Sequence, residues 1–201
     1  MTKHHKSVFE NEQELLQAII DIHLGGKDIE CDPMYFKGNF YKDGVSKPKY
    51  IFDIKPQVPE CKQGNAMKLN ECGINNNSLD SIILDPPFLF GIHGKTKEYY
   101  SSKTHTIFKN FDFLASTYKE ILFQAYKVLK KKGILVFKCQ DYTDSKTTFT
   151  HCFVKEWAEE WGFYAKDLAI LVKPNKIYNG NLTQRHLRKI HTYFLVFVKK
   201  N

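Results

Sequence analysis

Asp85-Pro86-Pro87-Phe88 places a carboxylate, two prolines and an aromatic ring in four consecutive positions. Each proline holds its φ near −65° and biases the residue before it toward extended backbone, so the segment is stiff and has no proline N–H to pair with its own carbonyls. An acid, an unpaired carbonyl and an aromatic face suit a flat ring that carries an NH2 group. The two acceptors take the two N–H bonds while the aromatic side chain stacks on the ring plane. The apolar run Ser81-Ile82-Ile83-Leu84 stands immediately before it and reads as a buried parallel strand. Open α/β sheets hold their ligands at the carboxyl ends of such strands, which is where this tetrapeptide would lie.

The elements that must position it follow from periodicity. Leu15, Leu16, Ile19, Ile20 and Leu24 recur at helical spacing over Glu12 to Leu24, and Gly25-Gly26 supplies a stop. Strands are expected at Asp28–Asp32, Lys49–Ile54, Ser81–Leu84, Gly133–Cys139, Ala165–Val172 and Thr192–Val198. Asn110 or Asp112 can cap a helix carrying Phe113, Leu114, Tyr118, Ile121, Leu122, Ala125 and Leu129, whose end the run Lys130-Lys131-Lys132-Gly133 would complement. Thr148 to Trp161 is a further helix. Strand and helix alternate, which argues an α/β fold with a mainly parallel sheet and helices on both faces. Pro33–Lys49 and Phe90–Asn110 show no sustained period, and loops of that length inside a compact domain are usually functional or disordered.

The chain has 201 residues, 42% of them hydrophobic and 14% aromatic, enough for one domain with a substantial core. No second-domain boundary or repeat is visible. Net charge of +8 and a pI of about 9.1 favour polyanionic partners such as DNA or RNA. No apolar run reaches the roughly 20 residues of a membrane span, and no signal-peptide core follows Met1–Lys6, so a soluble, cytoplasmic protein with no membrane partner is expected. Five cysteines without a CxxC pair indicate neither a disulfide framework nor a zinc site. His151-Cys152 with Cys139 does not have the spacing of common zinc modules, and no metal is expected.

On these residues the chain resembles the S-adenosylmethionine-dependent amino-methyltransferases of DNA, whose mark is an Asp/Asn/Ser-Pro-Pro-aromatic loop after a central strand. Asp85, Pro86, Pro87 and Phe88 match that loop at all four places, and the turn Val128–Val136 resembles the family's entry into its next strand. The Asp form with an aromatic fourth residue resembles the adenine-modifying members. The resemblance implies a Rossmann-like methyltransferase fold with a seven-stranded sheet and S-adenosylmethionine as cofactor. Many members of that family carry an extra target-recognition domain, but 201 residues leave no room for one, so a single methyltransferase domain over 1–201 with no separate target-recognition domain is expected. Asp32, Pro33 and Gly38 occupy the place of the family's glycine-bearing cofactor motif. Asp53 stands close to the roughly 20 residues that separate a nucleotide-binding turn from its ribose-binding acid, or else caps a turn before Pro56. Asn65 falls where the family has a contact to the adenine amino group.

Target selection would then fall to loops, a homodimer or a partner subunit. Lys95, Lys97, Tyr99, Tyr100 and Lys103 mix cations with rings, the chemistry of phosphate contact and base stacking, and Arg185 and Arg188 could line a second backbone-binding loop. Methylation of RNA bases and a catalytically inactive nucleic-acid-binding subunit are the competing readings.

Overall fold

The computed structural model describes residues 4–92, 107–143, 146–173, 185–187 and 189–200. The described strands are β1 (Val8–Phe9), β2 (Cys31–Asp32), β3 (Tyr50–Asp53), β4 (Lys62–Gln63), β5 (Leu79–Leu84), β6 (Leu89–Phe90), β7 (Ile107–Phe108), β8 (Leu129–Cys139), β9 (Tyr142–Thr143), β10 (Thr147–Thr148), β11 (Phe163–Val172) and β12 (His191–Lys199). The helices are α1 (Glu12–His23), α2 (Phe111–Val128) and α3 (Thr150–Glu160), with a 3-10 segment at Ala66–Cys72. The main sheet runs β1-β11-β12-β8-β5-β2-β3-β4. Only β12 is antiparallel to its neighbours, β11 and β8. The other pairings are parallel.

Side-chain alternation divides the core into two faces. Ile82 and Leu84, Leu135 and Phe137, and Leu195 and Phe197 point into the layer made by α2, α3 and the 3-10 segment. Ile83, Ile134 and Val136, and Phe194, Val196 and Val198 point to the layer covered by α1. Each fully buried aliphatic or aromatic chain contributes roughly 1.5–3 kcal/mol. A one-residue slip of β5 or β8 would exchange the faces, so register is fixed here.

Helix ends follow their capping residues. Asn11 Oδ1 accepts from Glu14 N at 2.9 Å to start α1, and Gly25 and Gly26 at φ 61° and 78° end it. Asn110 Oδ1 accepts from Phe113 N at 3.0 Å to start α2. At the far end of α2, Lys199 Nζ donates to the carbonyls of Tyr126 and Leu129 at 2.6 and 2.7 Å and to Asn77 Oδ1 at 2.8 Å.

All six strands expected from sequence are present, but the sheet has eight strands, not seven. The additions are the two-residue edges β1 and β4, which are too short to show a period of two. The first expected strand shrinks to Cys31–Asp32. Helix α2 ends at Val128, so Lys130–Lys132 form the exposed opening of β8, with Lys130 paired to Asp80 at 2.8 Å. No helix among the described residues is long and apolar enough to cross a membrane.

Candidate active site

The chain leaves β4 on one edge of the sheet and returns to its middle at β5, beside β2. That reversal opens a crevice at the carboxyl ends of β2 and β5, the place where open α/β sheets bind ligands. Asp32 closes β2 and Asp85 follows the adjacent β5, so both acids lie at this end of the sheet.

Asp85 is held by a cation within the sheet. Lys138, one residue before the end of the neighbouring β8, donates to Asp85 Oδ2 at 3.0 Å and lies 2.9 Å from Glu12 at the start of α1. The Lys138 and Glu12 side chains are 13% and 14% exposed, and Asp85 is 29% exposed. The rings of Phe40 and Phe194 flank the ammonium at 4.7 and 5.6 Å. Burial pushes the Asp85 carboxyl up and Lys138 only partly opposes it. Burial pulls the ammonium down, but Asp85 and Glu12 together more than reverse this and it ends raised. Burial sets the direction for Asp85, and the two carboxylates that share the ammonium set it for Lys138.

The rest of the loop is fixed from below. Tyr118 of α2, fully buried, donates its hydroxyl to the Pro87 carbonyl at 2.9 Å and packs edge-on against Phe137. The Pro86 carbonyl accepts no hydrogen bond from the described residues. Phe88 is half-buried.

Asp32 is buried, at 1% exposure. Its oxygens accept from Met34 N at 2.9 Å and from the Tyr41 hydroxyl at 2.8 Å. Burial pushes its carboxyl up to about 7, helped by Asp85 and Asp53 and resisted by those two hydrogen bonds. Asp53 accepts from Phe36 N at 2.9 Å and Lys55 N at 2.8 Å. It therefore does cap the turn before Pro56, and it also holds Phe36 at φ 50°. Pro33 and Gly38 are buried in the same loop. Gly38 has φ +67°, and a Cβ there would lie 2.3 Å from the Tyr35 hydroxyl. The space beside this glycine is thus occupied by the Tyr35 ring, which stacks on Tyr41 at 5.4 Å. Asn65 follows β4, next to Gly64, whose N–H donates to the Asp53 carbonyl at 2.9 Å, and its side-chain oxygen caps the 3-10 segment through Met67 N at 2.9 Å.

Sequence thus brings Asp32, Pro33, Gly38, Asp53 and the Asp85 loop to one sheet edge. It missed Glu12, Tyr41 and Tyr118, whereas Lys138 stands at the carboxyl edge of the expected strand Gly133–Cys139, within reach of the pocket. Lys138 had a signal, since it is the single charge inside the apolar run Gly133–Cys139. The others had none that periodicity could reveal. Lys95, Lys97, Tyr99, Tyr100, Lys103 and Arg188 lie outside the described residues, and Arg185 is exposed. A cleft of about 560 Å³ lined by Lys27, Lys47, Lys49, Lys131 and Lys132 lies at the opposite, amino end of the strands. No residue of the Asp85 loop lines it.

No curated protein matches this chain. Among solved structures, the Burkholderia thailandensis 1,6-didemethyltoxoflavin-N1-methyltransferase with bound 1,6-didemethyltoxoflavin and S-adenosylhomocysteine matches at 14% identity and a TM-score of 0.57, over 96% of this chain and 80% of that one. TrmN from Thermus thermophilus matches at 14% and 0.52, over 93% and 48%. A provisionally assigned DNA modification methylase from the same organism, complexed with S-adenosyl-L-methionine, matches at 16% and 0.47, over 69% and 54%. This chain spans about half the length of the last two. The likenesses above 0.5 establish the Rossmann-like methyltransferase fold. The DNA methylase model for N6 and N4 enzymes matches residues 79–201, from the first residue of β5 through the Asp85 loop to the end of the chain, and the chain therefore belongs to the N6/N4 DNA methylase family.

Proposed function

We propose that this chain transfers a methyl group from S-adenosylmethionine to the exocyclic amino group of a nucleobase, most specifically adenine N6 in DNA. The observation that carries the proposal is the state of Asp85. Lys138 takes one of its carboxylate oxygens, the other accepts no hydrogen bond from the described residues, and the Pro86 carbonyl beside it is equally free. Two acceptors on a stiff loop match the two hydrogens of an amino group.

The donor set fits the cofactor at its cationic end. Asp32 and Asp53 stand at neighbouring strand ends, and repulsion from Asp85 and Asp53 adds to the burial that raises Asp32. A sulfonium with an adjacent ammonium would relieve that repulsion. The half-buried Asp53 retains lone pairs for ribose hydroxyls, although its backbone bonds to Phe36 and Lys55 come first. The cofactor supplies, when bound, an electrophilic methyl carbon whose departure leaves a neutral thioether.

The difficulty then lies in the weak nucleophilicity of an amino nitrogen conjugated to its ring. Asp85 and the Pro86 carbonyl hold its two hydrogens and direct the lone pair in line with the methyl carbon, while Phe88, which makes no ring contact with the described residues, stacks on the base. A duplex hides this atom, so the base flips out at a cost of a few kcal/mol that stacking and edge bonds offset. Lys138 and Tyr118 keep the acceptors in place, and positioning supplies most of the acceleration.

One observation favours a second reading. Tyr35 covers Gly38 and Asn65 is engaged in capping, as would be expected of an inactive nucleic-acid-binding subunit. Isothermal titration with S-adenosylmethionine and tritiated-methyl transfer to plasmid DNA and to RNA separate the readings. Asp85→Ala is expected to abolish transfer while cofactor affinity stays within a few-fold. Transfer retained in that variant overturns the assignment of Asp85. Nucleic-acid binding without cofactor affinity in the wild type establishes the inactive subunit, and transfer to RNA alone corrects the substrate.

A further inference from the structure

One strand further along the same sheet edge, a second group of reactive side chains is assembled apart from the Asp85 loop. Asp141 follows β8 and is buried, with its side chain 2% exposed. Its Oδ1 lies 2.8 Å from His151 Nδ1 and 3.4 Å from the His151 backbone N–H, in the first turn of α3. Its Oδ2 accepts from the Tyr193 hydroxyl of β12 at 3.3 Å, and that hydroxyl lies 2.8 Å from His191 Nε2. The Tyr193 ring stacks on the His151 ring at 4.2 Å and 27°. The imidazole is thus fixed by a carboxylate at one nitrogen and by an aromatic ring on its face.

The other nitrogen, Nε2, lies 3.4 Å from Cys152 Sγ, the length of a hydrogen bond to sulfur. An ionised Asp141 can only accept, so Nδ1 carries the proton and Nε2 is the acceptor facing the thiol. Cys152 is exposed, whereas Cys31, Cys61 and Cys139 are buried. A nucleophile, a base within reach of it and a buried group that orients the base together make the arrangement by which enzymes activate thiols. The peptide dipoles at the start of α3 also favour negative charge on the sulfur. Methyl transfer to nitrogen needs no covalent intermediate, so none of these groups is used by the reaction proposed above.

We propose that Cys152, with His151 as its base and Asp141 as the group positioning that base, is a nucleophilic thiol that takes up low-molecular-weight disulfides. His151 Nε2 accepts the thiol proton, and the thiolate attacks one sulfur of the disulfide. The new S–S bond forms as the old one breaks. The departing thiolate takes the proton back from His151, so one protein thiol is oxidised and one small thiol is released. The titratable groups facing the pair are Asp141 beyond β8, Cys139 on β8, and Tyr193 and His191 on β12.

The test is the rate of adduct formation with oxidised glutathione on the full-length reduced chain, followed by intact mass and peptide mapping from pH 6 to 10. At pH 7 the wild type is expected to form the Cys152 adduct about tenfold faster than His151→Gln, with the gap closing near pH 10, where an exposed thiol ionises without a base. Asp141→Asn is expected to fall between them, and Cys152→Ser to form no adduct at the fastest rate. Equal rates in wild type and His151→Gln at pH 7 overturn the proposal. So does a wild-type rate that climbs about tenfold per pH unit from 6 to 8, the behaviour of a thiol without a base, and this readout stands even where a variant fails to fold.

Discussion

Lys138 reaches Asp85 at 3.0 Å and Glu12 at 2.9 Å, so one ammonium tethers the Asp85 loop after β5 to the first turn of α1. Removing it leaves two poorly solvated carboxylates without their cation. Lys138→Met is expected to lose about 2–3 kcal/mol at pH 7, somewhat below the cost of breaking a fully buried pair because Asp85 keeps contact with water. The loss should shrink as pH falls, since without the cation Asp85 binds its proton more readily in the folded state. Urea denaturation at pH 7 and pH 5 measures both effects, and a variant equally destabilised at the two values would contradict the electrostatic account.

Asp32 gives the fold a pH dependence of the same sign. Its carboxyl titrates at about 7 when folded against 3.8 in its ordinary state, so between those values the folded chain holds a proton that the unfolded chain has lost. Stability contributed by this group therefore falls as pH rises from about 4 to 7, by up to about 4 kcal/mol, and is level above that. Asp32→Asn keeps an acceptor for Met34 N and can donate to the Tyr41 oxygen. It is expected to flatten the urea-midpoint profile over this interval, whereas an unchanged slope would exclude Asp32 as its source.

The sheet and the Asp85 loop were legible in the sequence because they obey short-range rules. Apolar runs mark β5, β8, β11 and β12, helical spacing with the stop Gly25-Gly26 marks α1, Asn110 marks the start of α2, and consecutive prolines mark a stiff strand exit. What escaped is what depends on distant partners. Lys199 reads as a surface residue at the chain terminus, yet it is buried and satisfies two carbonyls at the end of α2. Asp53 reads equally well as a ligand acid or a turn cap, and only the position of Phe36, seventeen residues earlier, shows that it braces a loop. His151-Cys152 with Cys139 reads only as a set without metal-module spacing, and the contacts of His151 with Asp141 and with the Tyr193 ring of β12 depend on partners distant in the chain.

Tyr118 supports the loop through one hydrogen bond inside a dry layer. Tyr118→Phe keeps the ring contacts with Phe137 and Phe108 and removes only the donor to Pro87. A loss of about 1–2 kcal/mol in thermal or urea unfolding is expected, because the Pro87 carbonyl is left without its partner. The transfer rate to plasmid DNA is expected to drop several-fold with cofactor affinity unchanged, since the substitution loosens the acceptors and not the Asp32 end of the crevice. A rate equal to wild type would show that the prolines alone hold the loop.

Gly38 sits where a glycine would be expected to make room for a ligand, but its space is filled by Tyr35. At φ +67° any side chain costs about 1–2 kcal/mol, and a Cβ 2.3 Å from the Tyr35 hydroxyl forces that ring to move. Gly38→Ala is therefore expected to lose about 2–3 kcal/mol of stability. Pairing it with Tyr35→Leu should recover the steric part and leave the backbone cost of about 1–2 kcal/mol, a coupling that a double-mutant cycle in urea reads directly. If the glycine instead served the cofactor alone, the single variant would weaken S-adenosylmethionine binding while leaving the unfolding midpoint in place. The close approach of Tyr35 argues for the reverse order of effects.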